Sequence, residues 1–382
     1  MRVLVGSFFF YPYEGGAEKQ GRLLARELVR RGVHVDYVTA RLPGTKAREV
    51  VDGVQVYRLP FGPQVRGLHR IQEIFFYWHL RKFLLSKASD YDIFQAQGVF
   101  DIVAPTMARV ARQNKVRTIL RYASVSEIER LRAKSLIGSV IWREVLQGDW
   151  HVTNSPITLA RMITDYGLTE DRCLIIPNAV EMPEPIDRAY VRKELDWSSD
   201  LQIVVCVSKF DPLKNQAVLI KAWQNIARQF PFARFVLIGS GRTQSDCKAL
   251  SEELGLTEKI IFTGALPNPQ VKRYLAASDI FVFPSKSEGQ SNVLLEAMAS
   301  SLPCAVSDIP ANRVVARPDI EALYFAPDDD AAAATAISRL LSDSSLADRL
   351  ALAANSKVQC EYSLTSVADQ YANLYRKILT SD

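Results

Sequence analysis

Long apolar runs are missing from this chain. No stretch reaches the roughly 18 consecutive apolar residues of a membrane-spanning helix, so none is expected. The apolar opening MRVLVGSFFF lacks a following small-residue cleavage site and reads as a buried first strand, not a signal peptide. Cysteine is scarce: five residues, odd in number and never in a CxxC pair. That excludes a disulfide framework or a zinc knuckle, fits a reducing cytoplasm, and leaves all five as small apolar packing residues. The four histidines, His34, His69, His79 and His151, show no metal-ligand spacing. Gly239-Ser240-Gly241 lacks the third glycine and the later acidic residue of a dinucleotide fingerprint, and tight strand-to-helix turning accounts for it. Asp328-Asp329-Asp330 precedes an alanine-rich segment and reads as a helix N-cap rather than a metal motif, and Asp90-Tyr91-Asp92 merely precedes a strand.

At 382 residues the chain is too long for one ordinary core and suits two domains. A hydrophobic content of 48% and a charged content of 23% are those of a globular protein. The net charge of +5 is unevenly spread, with 26 Lys+Arg against 17 Asp+Glu in residues 1–180 and 21 against 25 in the rest. A basic first half implies an anionic partner; nucleic acid is not expected, because no recognised nucleic-acid module accompanies the charge.

Strand-like and helix-like segments alternate throughout. In the first half the strands are expected at Arg2–Val5, Val33–Val38, Val54–Tyr57, Ile93–Ala96, Thr118–Leu120, His151–Asn154 and Cys173–Ile176. Three prolines within residues 177–185 mark a stiff linker. The alternation restarts with strands at Ile203–Val207, Arg234–Ile238, Ile260–Phe262, Ile280–Phe283 and Cys304–Val306. The expected fold class is α/β, with two Rossmann-like doubly wound parallel sheets and ligands at the carboxyl ends of the strands, in a cleft between the domains. The domains are expected at 1–182 and 183–363, with a last helix at about 364–382 crossing back to the first.

The segment Arg66–Lys87 interleaves Arg66, Arg70, Arg81, Lys82 and Lys87 with Phe75, Phe76, Tyr77, Trp78 and Phe83. Two readings stand: a helix for an anionic membrane surface, or a core helix with a solvated basic face.

The stretch 281–303 carries the chemistry. A strand ends at Pro284, a loop carries Glu288-Gly289, and a helix begins near Ser291. Loop amides and a helix N-terminus make an anion cradle, and Gly289 lets backbone approach a ligand closely. Glu288 and Glu296 stand eight positions apart, too far for a surface i,i+4 pair, and can accept hydrogen bonds from sugar and ribose hydroxyls.

These residues resemble the glutamate-x7-glutamate signature of retaining glycosyltransferases of the GT-B fold, family 4. Gly15-Gly16-Ala17-Glu18 is similar to that family's N-terminal Gly-Gly loop, and Ile176-Pro177-Asn178-Ala179-Val180-Glu181 to its interdomain motif, with Ala179 in place of glycine. Val207-Ser208-Lys209 through Lys214 is similar to its phosphate-binding motif, with Lys209 replacing arginine and Ser208 replacing glycine. Ile238–Gly241, Phe262–Gly264 and Asp308–Asn312 also match, while residues 40–90 and 120–150 have no recognisable counterpart.

The resemblance implies roles. Lys209 and Lys214 would hold the donor diphosphate, Glu288 the transferred sugar and Glu296 the ribose. Gly264, Ala265, Leu266 and the run Gly289, Gln290, Ser291, Asn292, Val293 and Leu294 would contact the donor, and Gly16 would close over the diphosphate. No metal or other cofactor is implied, since two ammonium groups and a helix terminus can offset the leaving group's charge. Lys209 keeps the charge of arginine but loses its bidentate fork. Where many members carry a histidine near the sugar, this chain reads Ile119-Leu120-Arg121-Tyr122-Ala123-Ser124. Arg121 is either a sugar or acceptor contact in its place or a solvated strand-end residue.

The expected activity is retaining transfer of a hexosyl unit from a UDP- or GDP-sugar to a hydroxyl of a glycan, lipid-linked or phosphorylated acceptor. Surface polysaccharide or glycolipid synthesis at the cytoplasmic face of a membrane would be the setting. The alternatives are a GT-B sugar-nucleotide epimerase, disfavoured by the scattered histidines, and a degenerate polyanion- or membrane-binding module, disfavoured by the intact Lys209, Lys214, Glu288 and Glu296.

Overall fold

In the computed structural model, residues 1–382 are described except 14, 63–68, 100, 124–128, 130–134, 381 and 382, and except the side chains of 69–71, 135–137, 139 and 140. The chain divides into two compact units, Met1–Ala179 with Leu364–Asp382, and Val180–Ser363.

The N-terminal unit contains an eight-stranded sheet: β1 (Arg2–Gly6), β2 (His34–Ala40), β3 (Arg48–Val51), β4 (Val54–Leu59), β5 (Ile93–Ala96), β6 (Arg117–Tyr122), β7 (Trp150–Thr153) and β8 (Cys173–Ile175). Their order is β3-β4-β2-β1-β5-β6-β7-β8. All neighbours are parallel except β3, which pairs antiparallel with β4 at one edge. That edge was not expected from the sequence. Asp52-Gly53 is its two-residue turn, both residues at positive φ, as a type I′ hairpin demands.

Among the described residues the helices of this unit include α1 (Gly16–Arg30), α2 (His69–Lys87), α3 (Val103–Asn114), α4 (Ser135–Leu146), α5 (Pro156–Thr164) and the C-terminal helix Leu364–Thr380. The inner strands β1, β2, β5, β6 and β7 are short apolar runs buried on both faces, so they need helices above and below. Leu23, Leu24 and Leu28 of α1 and Val367, Tyr371 and Tyr375 of the C-terminal helix share one core with Val3, Val5 and Ile119. On the opposite face Phe76, Leu80 and Leu84 of α2 pack with Met107 of α3 and Leu120 of β6.

The C-terminal unit is a six-stranded, all-parallel sheet: β9 (Gln202–Val207), β10 (Ala233–Ile238), β11 (Ile260–Gly264), β12 (Ile280–Phe283), β13 (Cys304–Ser307) and β14 (Leu323–Phe325). The order β11-β10-β9-β12-β13-β14 has its topological switch between β9 and β12. In such sheets the loops leaving those two strands diverge and open a crevice at their carboxyl ends. The helices are α6 (Arg188–Glu194), α7 (Gln216–Gln229), α8 (Gln244–Glu253), α9 (Asn268–Ala277), α10 (Asn292–Ala299), α11 (Pro310–Val315), α12 (Asp330–Ser342) and α13 (Ser344–Lys357). One core lies around Trp223, stacked on Phe235 at 5.0 Å, and a second joins Phe281 and Phe283 to Leu294 and Leu295 of α10.

Four cysteines are buried packing residues, and Cys360 departs from that expectation by being exposed. Burial pushes the Cys206 thiol up to about 12, and those of Cys173 and Cys247 up to about 11.

Candidate donor-binding site

The two loops that leave the switch-point strands hold the charged residues of the site. After β9 the chain runs through Lys209, and Asp211 accepts a hydrogen bond from Leu213 N, which starts a 3-10 turn over Pro212–Lys214. Asn215 ends that turn at positive φ, a conformation that asparagine tolerates. After β12 the chain runs through Ser285, Lys286 and Glu288 to Ser291, whose hydroxyl caps α10 by accepting from Leu294 N at 3.3 Å.

Lys214 Nζ and Glu288 Oε1 form an ion pair between these loops. Both side chains are largely buried, and the ammonium also lies 5.8 Å from the centre of the Phe283 ring, at cation–π range. Lys209 is exposed and makes no ion pair among the described residues. Glu288 and Gly289 are half-buried, Gln290 and Ser291 buried, Asn292 and Val293 half-buried at the start of α10, and Leu294 fully buried. Glu296 is half-buried on α10. The C-terminal unit thus brings Lys214, Glu288 and the N-terminal turn of α10 together, where an anion meets an ammonium, a positive helix end and a hydroxyl-accepting carboxylate.

Gly264 ends β11 at positive φ, and its carbonyl accepts from Gly239 N at 2.9 Å; Ala265 is exposed beyond it and Leu266 half-buried. The glycines of Gly239-Ser240-Gly241 have a more specific reason than tight turning. A Cβ on Gly239 would stand 2.0 Å from Ser208 O, and one on Gly241 2.2 Å from Phe210 O. Ser208 N bonds Ile238 O and Phe210 N bonds Ser240 O, each at 3.0 Å, so the loop carrying Lys209 lies against this glycine turn.

In the N-terminal unit Gly16 is exposed as the first residue of α1, and the Glu18 carboxylate accepts from Gly15 N at 3.0 Å. Arg121 corrects one of the two sequence readings: at only 3% exposed it is not a solvated strand-end residue. Its position on β6 turns it to the core face beside Ile119, where its guanidinium hydrogen-bonds Asn178 Oδ1 and neighbours the Tyr371 hydroxyl of the C-terminal helix. Asn154 Nδ2 also reaches Asn178 Oδ1, at 3.4 Å. Arg121 thus sits between the end of this unit's sheet and its last helix, a buried placement that strand alternation next to Ile119 could have indicated.

Asp329 caps α12 by accepting from Ala332 N at 2.8 Å. Asp328 does something else: its Oδ1 accepts from Lys286 Nζ at 2.5 Å and from Asn215 Nδ2 at 3.1 Å. Among the described residues no three His, Cys, Asp or Glu side chains cluster as metal ligands would.

Residues 15–179 match the glycosyl transferase 4-like domain, and residues 187–357 match the glycosyl transferases group 1. A D-inositol 3-phosphate glycosyltransferase of Nocardia farcinica is 30% identical over 219 residues, 55% of this chain and 49% of the relative. The N-acetylgalactosamine-N,N'-diacetylbacillosaminyl-diphospho-undecaprenol 4-alpha-N-acetylgalactosaminyltransferase of Campylobacter jejuni is 30% identical over 160 residues, 42% of this chain and 41% of the relative. These matches span about half or less of each relative's length. Among solved structures, sucrose-phosphate synthase from Thermosynechococcus elongatus superposes over 100% of both chains, with TM-score 0.81 and 21% identity. Anabaena HepE in complex with UDP and glucose superposes over 98% of this chain and 99% of its own, with TM-score 0.76 and 17% identity. The two domain matches together take in both units, and the chain belongs to the group 1 glycosyltransferases, family 4, with the GT-B fold.

Proposed function

We propose that this transferase moves a hexosyl unit from a UDP- or GDP-sugar to an acceptor hydroxyl with retention of anomeric configuration, using the C-terminal unit as the donor site. The observation that carries this reading is the Lys214–Glu288 pair between the loops of the β9/β12 switch point, at the N-terminal turn of α10. Lys214 and exposed Lys209 meet the diphosphate and stabilise the leaving nucleotide, Glu288 accepts from hydroxyls of the sugar, and Glu296 from those of the ribose. Gly264, Ala265, Leu266 and the backbone of residues 289–294 line the donor. With the negative charge met by ammonium groups and amides, turnover proceeds without a divalent metal. HepE binds UDP and glucose according to its solved complex, which supports a nucleotide-sugar donor. Incubation with a panel of UDP- and GDP-hexoses in EDTA, followed by nucleotide release and the product's anomeric configuration, tests the reading. An inverted product, or release that requires added metal, counts against it.

The acceptor we infer is a glycan or lipid-linked glycan at the cytoplasmic face of a membrane, as in surface polysaccharide or glycolipid synthesis. The diphospho-undecaprenol in the Campylobacter relative's name supports a lipid-linked class. So does α2. Phe76, Leu80 and Leu84 fill the core, while Ile74, Phe75, Trp78 and Leu85 are exposed along a stripe with Lys82. Arg109 of α3 and Arg143 of α4 are exposed on neighbouring helices, so apolar and basic groups share a layer suited to anionic lipid. Residues 66–68 of the basic-aromatic segment lie outside the described residues. No helix among the described residues is long and apolar enough to cross a membrane. Flotation with phosphatidylglycerol vesicles should carry the protein upward, and Trp78→Ser with Lys82→Glu should abolish it; equal flotation with neutral vesicles removes the electrostatic part of this reading.

A further inference from the structure

The motif Ser307-Asp308-Ile309-Pro310-Ala311-Asn312 at the end of β13 contributes no group to the donor chemistry assigned above, yet its buried Ser307 and Asn312 begin a chain of polar links that leads through Ser285 toward Lys214. Asn312, fully buried, donates from Nδ2 to Ser307 O at 2.9 Å. Ser307, also fully buried, donates from Oγ to Ser285 O at 2.5 Å. Ser285 Oγ lies 3.2 Å from Leu213 O, and Lys286 N donates to the same carbonyl at 2.8 Å. Leu213 immediately precedes Lys214 in the 3-10 turn. From the solvent side, Asp328 in the β14–α12 connection joins Lys286 to Asn215, the residue on the other side of Lys214. The loops that follow β12 and β14 therefore grip the turn on both sides of the lysine, and Ser307 and Asn312 back the first of them.

Buried hydroxyls and amides cost stability unless hydrogen-bonded, and apolar residues would fill these places without that demand. The chain ends on Ser285, whose Oγ lies 3.2 Å from both Leu213 O and Ser287 O, and with Lys286 N it holds the Leu213 carbonyl in place. We propose that Ser285, Ser307 and Asn312, with Asp328 at the surface, are positioning residues that hold Lys214 opposite Glu288 for contact with the donor's diphosphate. This rests on the donor-site reading of Lys214.

The test uses the full chain with Ser285→Ala and, because a buried change can disturb folding, the exposed Asp328→Ala as an independent variant. Each lowers kcat/KM for nucleotide release from the UDP- or GDP-sugar the wild type uses by about ten- to a hundredfold, as misplacement of a catalytic group does. In a Lys214→Ala background Ser285→Ala produces no further loss, because its effect passes through that lysine. A full additional loss in that background, or unchanged kcat/KM in both single variants, overturns the proposal. Amide hydrogen exchange over residues 211–215 needs no ligand: it accelerates in both variants, and unchanged protection overturns the proposal. A wild type that turns over no nucleotide sugar sinks the donor reading, while the exchange measurement still decides the positioning role.

Discussion

Lys214 and Glu288, 74 residues apart in sequence, neutralise each other between the two loops of the β9/β12 switch point. The same cation and carboxylate are the groups assigned to the diphosphate and the sugar. A ligand that brings its own anion and hydroxyls therefore replaces a contact that the protein already makes.

That competition has a measurable consequence. Glu288→Gln frees the ammonium while keeping a hydrogen-bonding amide, so UDP or GDP alone binds severalfold more tightly, about the 1 kcal/mol that a partly exposed pair contributes. Sugar transfer nevertheless falls by about a hundredfold or more, the scale of losing one group that acts in the transition state. Calorimetric titration and initial rates on the same preparation give both numbers.

Gly239 and Gly241 respond to any side chain. Their Cβ positions collide with backbone carbonyls of residues 208 and 210, which cannot rotate away. Gly239→Ala should cost about 3 kcal/mol or more in urea unfolding, near the upper end for single substitutions.

Arg121 is a buried cation that hydrogen-bonds Asn178 and lies near Tyr371, with no carboxylate paired to it among the described residues. Replacing a buried charge with an apolar residue of similar length is often neutral or stabilising, whereas truncation leaves a cavity. Arg121→Met should unfold within about 1 kcal/mol of wild type or later, and Arg121→Ala about 2–4 kcal/mol earlier. Neither should alter KM for the acceptor, which separates this role from substrate contact.

His151 gives the fold a pH dependence. Burial depresses it to about 4, and its Nδ1 lies 2.7 Å from the Tyr122 hydroxyl. The neutral ring is what the core accepts, so its contribution is complete above the unfolded value near 6.5 and is lost as pH falls toward 4. The loss approaches about 3 kcal/mol relative to a non-titrating His151→Gln variant. Urea midpoints of both proteins between pH 7 and 4.5 should diverge downward for the wild type.

Much of this was legible in the sequence because short apolar strands, their spacing and the Glu288/Glu296 stretch are local patterns. All twelve strands expected from the apolar runs form, with ends shifted by a residue or two. The missed strands have physical reasons. β14 is three residues long, and β3 alternates half-exposed positions at a sheet edge, although its Asp52-Gly53 turn was a readable signal. The alternation beside Ile119 hints that Arg121 is buried, but not at its surroundings, because Asn178 and Tyr371 are 57 and 250 positions away. The pairing of Lys214 with Glu288 and the links through Ser285 and Asp328 are likewise contacts between distant loops, created only once the strand order brings those loops together.

The most direct test of the donor site is titration of UDP and GDP into the wild type, Lys209→Ala and Lys214→Ala by calorimetry without divalent metal. One of the two nucleotides should bind, and each alanine variant should weaken it about tenfold or more, the loss expected for a charge-assisted phosphate contact. Binding of neither nucleotide, or wild-type affinity in both variants, would contradict the assignment.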